Sequence, residues 1–431
     1  MNTLKIPFTK EFGYIRLARI LKPGSVKFNE VMDTFLDIER VNSLSLKQWI
    51  ESRILTPYEL KRIEKISNDE IYEVIKYCKF NGIRIITPED DEYPQKLRYI
   101  ENPPTVLFAR GKRLDDEEPT IGIVGARKCT EFGQKAAYSL GAKLALAGFT
   151  VISGGAIGVD SMAHTGAMNA GGKTLVVLGC GLDSDYLSVQ KNLRQRAESS
   201  GTVISEFEPK TPASRYTFPI RNRIISAMSC GVAVIEAGQK SGALITATYA
   251  MEQGKEIFAL PGNINAPQYG GTNDLLRDGA TPLLKVEDII EVYMGRFPDK
   301  LKAVGELSPE IKRGYSVEAR RMSNKAVAQG QSSVTTAANK YEPAKSKPKE
   351  EKNNKSAELP KAELPFTSDA NIPCSAAAKK IYLSFTENIE FSDILSEKSG
   401  IKGGEFIAAI TELELFGFVK AVPVGRYERI K

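Results

Sequence analysis

Residues 121–160 read IGIVGARKCTEFGQKAAYSLGAKLALAGFTVISGGAIGVD. Two apolar runs, Thr120–Val124 and Thr150–Ile152, each pass directly into a glycine-rich loop, and an Ala/Leu-rich segment, Phe132–Ala147, lies between them. Strand, glycine loop, helix, strand, glycine loop is the βαβ unit that opens a parallel, doubly wound sheet. Such loops run from strand carboxyl ends into helix amino ends, where unpaired N–H groups and the helix dipole favour anions. A phosphate-bearing ligand is expected at this edge. A dinucleotide is not, because Gly125-Ala-Arg-Lys-Cys129 departs from G-x-G-x-x-G and no acidic residue closes the second strand. The Gly-Lys-Ser/Thr of a Walker loop is missing from both loops.

From Thr120 to about Tyr293 strands and helices alternate. Further strands are predicted at Thr174–Leu178, Thr202–Ser205, Val232–Glu236, Glu256–Ala259 and Pro282–Leu284. Helices are predicted at Ser161–Ala170, Val189–Ser199, Ile220–Met228, Ala243–Gln253 and Thr272–Arg277. The expected fold class is α/β, an extended Rossmann-like, mostly parallel, doubly wound core over residues 120–296.

Residues 1–80 read as a small helical (SAM-like) domain, with apolar residues three or four apart in Tyr14–Leu21, Asn29–Ile38, Ser45–Ser52 and Asn68–Phe80. Trp49, the single tryptophan, is expected in its core. Residues 81–119 suit two short strands around a proline-rich turn. Residues 297–370 turn to Ala, Ser, Lys, Glu, Asn and Pro, the composition of a basic, disordered linker. Residues 371–431 read as a winged helix: three helices (Ala378–Phe385, Ser392–Ser399, Glu405–Gly417) and a two-stranded wing turning at Pro423–Gly425. Its third helix carries Glu405, Glu412 and Glu414, a face that repels a duplex and favours a protein-contact role.

The chain has 431 residues and a net charge of +6. Residues 300–365 hold 14 basic and 8 acidic residues, which leaves 45 of each elsewhere. Bulk charge therefore makes no case for nucleic acid, and local placement must. Five cysteines without a C-x-x-C pair suggest neither zinc nor disulfides. No apolar run nears the ~20 residues that span a bilayer, and MNTLKIPFTKEFGYIRL lacks a signal peptide's apolar core. A cytoplasmic protein with no membrane partner is expected.

Each predicted strand end delivers small or basic residues. They are Gly125 and Arg127; Ser153, Gly154 and Gly155; Arg215, Phe218, Arg221, Asn222 and Arg223; Ser241 and Gly242. In an open α/β sheet these loops converge on the carboxyl edge. Arginines that follow phosphates, with an aromatic platform for a base, are the chemistry of single-stranded nucleic acid binding. The rival reading places Phe218 in the core and pairs Arg221 or Arg223 with Glu206 or Glu236. Asp160 and the lone His164 lie one turn apart, within reach of a hydrogen bond, yet helix capping accounts for Asp160. No catalytic residue, metal site or cofactor is expected.

Several ordered blocks resemble the DprA (Smf) family of DNA-processing proteins: ITPEDDEYPQKL, NPPTVLFARG, IVGAR, ISGGAIGVDSMAH, LGCGLD, TFPIRNRIISAMS, VIEAGQKSGALITATYA, ALPG and GGTNDLLRDGA. The resemblance implies an extended Rossmann core that binds single-stranded DNA without known catalysis. It implies a homodimer that helps load the RecA recombinase onto incoming strands in natural transformation. The family's DNA pocket falls on Arg127, Ser153, Gly154, Gly155, Arg215 and Phe218, and its dimer surface near Leu275–Ala280. The chain departs from the family at Lys22–Lys27, which lacks a second hairpin glycine, and at Leu187, where proline is usual after the tyrosine. Two other readings remain. One is a nucleotide-processing enzyme using Glu236, and the other a protein-interaction scaffold acting through Ala376–Lys431.

Overall fold

The computed structural model describes residues 9–185, 190–302, 374–385, 389–422 and 426–430. The chain divides into two compact units, Met1–Gln329 and Gly330–Lys431. Most of the expected linker, from residue 303, lies outside the described residues, as do Leu187 and the wing turn Pro423–Gly425.

Six helices open the first unit: α1 (Lys10–Leu21), α2 (Phe28–Phe35), α3 (Ile38–Ser43), α4 (Leu46–Ser52), α5 (Pro57–Ile63) and α6 (Asn68–Phe80). All but α2 start at a side-chain cap on otherwise unpaired N–H groups. Thr9, Asp37 and Ser67 cap α1, α3 and α6. Ser45 with Gln48, and Thr56 with Glu59, form reciprocal capping boxes on α4 and α5. Trp49 is fully buried, edge-on to Phe35 at 5.3 Å between ring centroids.

Next come β1 (Arg84–Ile86), α7 (Gln95–Arg98) and β2 (Leu107–Gly111). The alternating region then runs β3 (Thr120–Val124), α8 (Glu131–Leu146), β4 (Thr150–Ser153), α9 (Val159–Asn169), β5 (Thr174–Leu178), α10 (Lys191–Ser200) and β6 (Thr202–Ser205). It continues α11 (Thr217–Met228), β7 (Gly231–Val234), α12 (Gly242–Glu252), β8 (Glu256–Ala259), α13 (Gly270–Arg277), β9 (Thr281–Pro282) and α14 (Glu287–Met294). The nine strands form one sheet in the order β1-β2-β6-β5-β4-β3-β7-β8-β9. Strands β3 to β9 are mutually parallel, while β1 and β2 add an antiparallel edge. The α/β, mostly parallel, doubly wound expectation is borne out.

Both faces of the sheet are covered, which is why its strands read as continuous apolar runs. Ile121, Ile123 and Val151 point to a core shared with α8, α9 and α14. Val124 and Ile152 point to the opposite core, with Ile224, Ile225 and Ala247 of α11 and α12. The opening helices share a third core with Phe108, Val176 and Val203, so they pack directly on the sheet. The hairpin after α1 is drawn into that contact. Gly24 has φ +84°, its N–H donates to Glu206 at 3.3 Å, and a Cβ there would lie 2.9 Å from Ile220.

The second unit holds α15 (Ala376–Tyr382), β10 (Ile389–Phe391), α16 (Ser392–Ser399), α17 (Gly403–Leu415), β11 (Val419–Val422) and β12 (Arg426–Arg429). Its antiparallel sheet runs β10-β12-β11, with β10 an element the sequence reading had not separated from its helices. Ile381, Leu395, Ile410 and Leu413 fill its core.

Candidate nucleic-acid interface

Strand β3 is the switch point of the sheet, with β4 on one side and β7 on the other. Loops at the carboxyl ends diverge there and leave a crevice. They are interlocked: Ala126 N–H donates to the Glu236 carbonyl at 2.7 Å, and Val159 N–H to the Ala126 carbonyl at 3.2 Å.

The crevice floor is closed by the protein's own carboxylates. Glu236, at the end of β7, is fully buried and accepts from Thr130 N–H at 3.1 Å, Thr130 Oγ1 at 2.7 Å and Tyr269 Oη at 3.3 Å. Thr130 is the cap of α8, so this carboxylate occupies the position where a phosphate would meet the dipole. Asp160 does the same in the second loop, taking the N–H groups of Gly154 and Ala156. Burial pushes its carboxyl up against the opposing pull of the Arg221 charge and those amides. Ser153 is fully buried and donates to the Ile123 carbonyl at 2.5 Å. The protein's own carboxylates therefore engage the N–H groups of these two loops, at the edge where the sequence led to a phosphate-bearing ligand. Gly155, at φ +66°, supplies a left-handed turn under which Val176 packs, at 2.8 Å from a hypothetical Cβ.

Arg221, Asn222 and Arg223, counted with the site from the sequence, are all three buried. Arg221 donates to the carbonyls of Gly154, at 2.9 Å, and Val177, and so ties the second glycine loop to β5. Its guanidinium fills the space a Gly154 side chain would need. Asn222 donates to the Gly242 carbonyl at 3.2 Å. Arg223 is wholly inside and meets both Glu206 oxygens at 2.7 Å, a pairing the rival reading named. His164 is also fully buried and shares a 2.6 Å hydrogen bond with Thr174, not Asp160, while burial pushes its pKa down to about 3. Burial first, then the Glu236 charge, pushes the Cys129 thiol up to about 11, so it stays protonated at neutral pH.

The outer rim carries the cations and rings. Arg127 is exposed, and its guanidinium carbon lies 4.5 Å from the centroid of Phe218. Phe218 is half-buried in the first turn of α11, which starts three residues earlier than predicted because Pro219 is tolerated in a first turn. Its ring rests against Gly179, where a Cβ would stand 2.8 Å from Cδ1. A second stack pairs exposed Arg215 with exposed Tyr216, 4.8 Å from guanidinium carbon to ring centroid and 2.5 Å from Nη2 to Oη. Lys128 and Lys240 are exposed on the same set of loops. Lys128 was omitted from the sequence-derived set although it adjoins Arg127. Gly125 admits Val159 where a side chain would clash, Ser241 caps α12, and Gly242 is exposed. Of the predicted set, the fold brings Arg127, Phe218 and Arg215 to the surface and uses most of the others to hold that surface in place.

In the stretch expected at a dimer surface, Leu275 is turned into the core while Arg277 and Asp278 are exposed. No helix of the described residues is long and apolar enough to cross a membrane.

A family model described as DNA recombination-mediator protein A matches residues 84–294. Protein Smf of Synechocystis sp. is 30% identical over 380 residues, which cover 86% of this chain and 87% of that protein. DNA processing protein DprA of Bacillus subtilis is 38% identical over 219 residues, covering 51% and 74%. The X-ray structure of DNA processing protein A from Streptococcus pneumoniae superposes with a TM-score of 0.58 at 29% identity, covering 66% of this chain and 98% of that one. With a mostly parallel α/β sheet and these matches across it, the chain belongs to the DprA/Smf family, the DNA recombination-mediator protein A family.

Proposed function

We propose that the first unit binds single-stranded DNA along the rim of the carboxyl edge, with Arg127 and Arg215 on phosphates and bases stacked on Phe218 and Tyr216. The observation that carries this reading is the pair of arginine–aromatic stacks on the rim, at 4.5 and 4.8 Å. Cations follow a backbone of any sequence, and each ring offers roughly 1–3 kcal/mol of stacking per base. A flexible single strand can splay its bases onto these rings, whereas a duplex keeps them stacked inside. Buried Glu236, engaged by Thr130 and Tyr269, leaves the mononucleotide position filled and weighs against the nucleotide-processing reading.

Family membership supports a role as recombination mediator, and on this reading the bound strand is handed to the RecA recombinase during natural transformation, by a homodimer. The fold itself contributes the strand-binding step; the hand-over rests on the family likeness.

The test is fluorescence anisotropy with labelled oligo-dT and a duplex of equal length, on wild type and the Arg127→Ala/Phe218→Ala double variant. Salt-sensitive preference for the single strand, lost in the double variant, is the expected result. Equal affinity for both forms, or an unaffected variant, sinks the rim. RecA-driven strand exchange on oligonucleotides coated with a single-strand binding protein, with and without this chain, tests the second step.

A further inference from the structure

Five residues past Arg127, on the first turn of α8, Phe132 stands 56% exposed. Together with Pro261, Gly262, Asn263 and Tyr269 it walls a pocket of about 390 Å³. That volume lies within the ~300–1,000 Å³ range of small-ligand sites. We propose that this pocket takes one base of the same DNA strand, as a second stacking platform downstream of Phe218. The proposal rests on the strand-binding reading above and extends it across the switch point to the loop after β8.

Three features argue for a base. The pocket is built in advance. Asn273 clamps Gly262 through both its groups, receiving the Gly262 N–H on Oδ1 at 3.2 Å and donating from Nδ2 to its carbonyl at 3.1 Å. Tyr269 is buried, its ring pressed on Gly262 so closely that a Cβ there would lie 2.0 Å from it. Its hydroxyl reaches Glu236 at 3.3 Å and Thr130 at 3.2 Å, so the pocket floor and the Arg127 loop are one hydrogen-bonded body.

The wall suits a flat, apolar face with polar edges. Phe132 supplies a ring, and Asn263 supplies an amide whose Oδ1 is already taken by Asn265 N–H at 2.9 Å, which leaves its nitrogen to donate. The spacing also fits. Five residues of chain extend to at most about 17 Å, the rise of about five nucleotides. Lys128, exposed between the two in sequence, offers a cation to the intervening phosphates.

The experiment uses the full chain and two probes, a long oligo-dT and the shortest oligo-dT that wild type still binds. Phe132→Ala is expected to weaken the long strand roughly 5- to 100-fold, the loss of one stacked base, and to leave the short one unchanged. Phe132→Tyr keeps the ring and should retain wild-type affinity for both. A Phe132→Ala variant that binds the long strand like wild type, or loses equally on both lengths, overturns the pocket. Wild type that binds neither strand, or an Arg127→Ala variant that binds both normally, overturns the rim and the pocket together. A normal Phe132→Ala beside an impaired Arg127→Ala overturns the pocket alone.

Discussion

Arg127 lies on the ring of Phe218, 4.5 Å from guanidinium carbon to centroid, although one follows the first strand of the core and the other opens α11 in mid-sequence. A base can occupy that face of the ring only when the guanidinium leaves it. On the proposed strand-binding reading, the stack is a resting state in which the cation covers the platform until a strand offers it a phosphate.

Removing the two partners should therefore have different signatures. Arg127→Ala is expected to reduce the slope of log affinity against log salt by about one, with a loss of affinity shared by all sequences. Phe218→Ala should leave the slope unchanged and weaken oligo-dT roughly 5- to 100-fold. Anisotropy titrations at four salt concentrations separate them; equal slopes for all three proteins would place the phosphates elsewhere.

Gly179→Ala tests whether the position of Phe218 matters apart from its presence. The added methyl would stand 2.8 Å from Cδ1, so the ring must move. Binding of oligo-dT should fall several-fold while the far-ultraviolet circular dichroism remains that of wild type. An unchanged affinity would mean that the ring needs no fixed seat.

The Arg223–Glu206 pair is fully buried, and Arg223 Nε and Nη1 have no hydrogen-bond partner. Breaking such a pair strands a charge in a low dielectric, at a cost of about 3–5 kcal/mol. Arg223→Met should therefore lower the urea midpoint of the first unit strongly. Adding Glu206→Gln removes the stranded charge, keeps an acceptor for Gly24 N–H, and should restore much of the loss. A double variant no more stable than Arg223→Met would contradict this account.

His164 is the chain's one histidine, and burial holds it neutral with a pKa of about 3, well below its ordinary 6.5. The unfolded chain binds the extra proton below pH 6.5, so the contribution is whole above that pH and lost progressively as pH falls toward 3. Between pH 7.5 and 5 the loss is about 2 kcal/mol. Asp160, whose carboxyl burial raises, acts in the opposite sense, so the useful quantity is the difference between wild type and His164→Gln. Urea unfolding across this range should give the variant the flatter profile; parallel profiles would show that His164 protonates in the fold.

The sheet was legible because its signals are local. Strands Thr120–Val124, Thr174–Leu178, Thr202–Ser205 and Glu256–Ala259 fall where predicted, each a short apolar run between polar or glycine-bearing breaks. The surface of the site was half legible. Arg127 and Arg215 stand outside as residue type suggests, yet Arg221 and Arg223, spelled in the same motif, go inside. What sends them there is the sheet order. It brings the ends of β4, β5 and β6 beneath α11, so that Gly154, Val177 and Glu206 become partners no spacing rule could nominate. Phe218 was placed in the loop before a helix predicted from Ile220, whereas α11 begins at Thr217 and accepts Pro219 in its first turn.

Glu236 carries a consequence for life in a crowded cell. Free nucleotides far outnumber single strands there, and a strand receptor that also accepted monomers would be saturated before any strand appeared. Glu236 fills the helix start with its own side chain, and on the proposed reading the protein thereby denies a free nucleotide the seat there. What it keeps is a shallow outer ledge, where one phosphate finds little and a run of them finds a good deal. On that reading, selectivity for polymer over monomer becomes a matter of length, set by a residue buried beneath the rim.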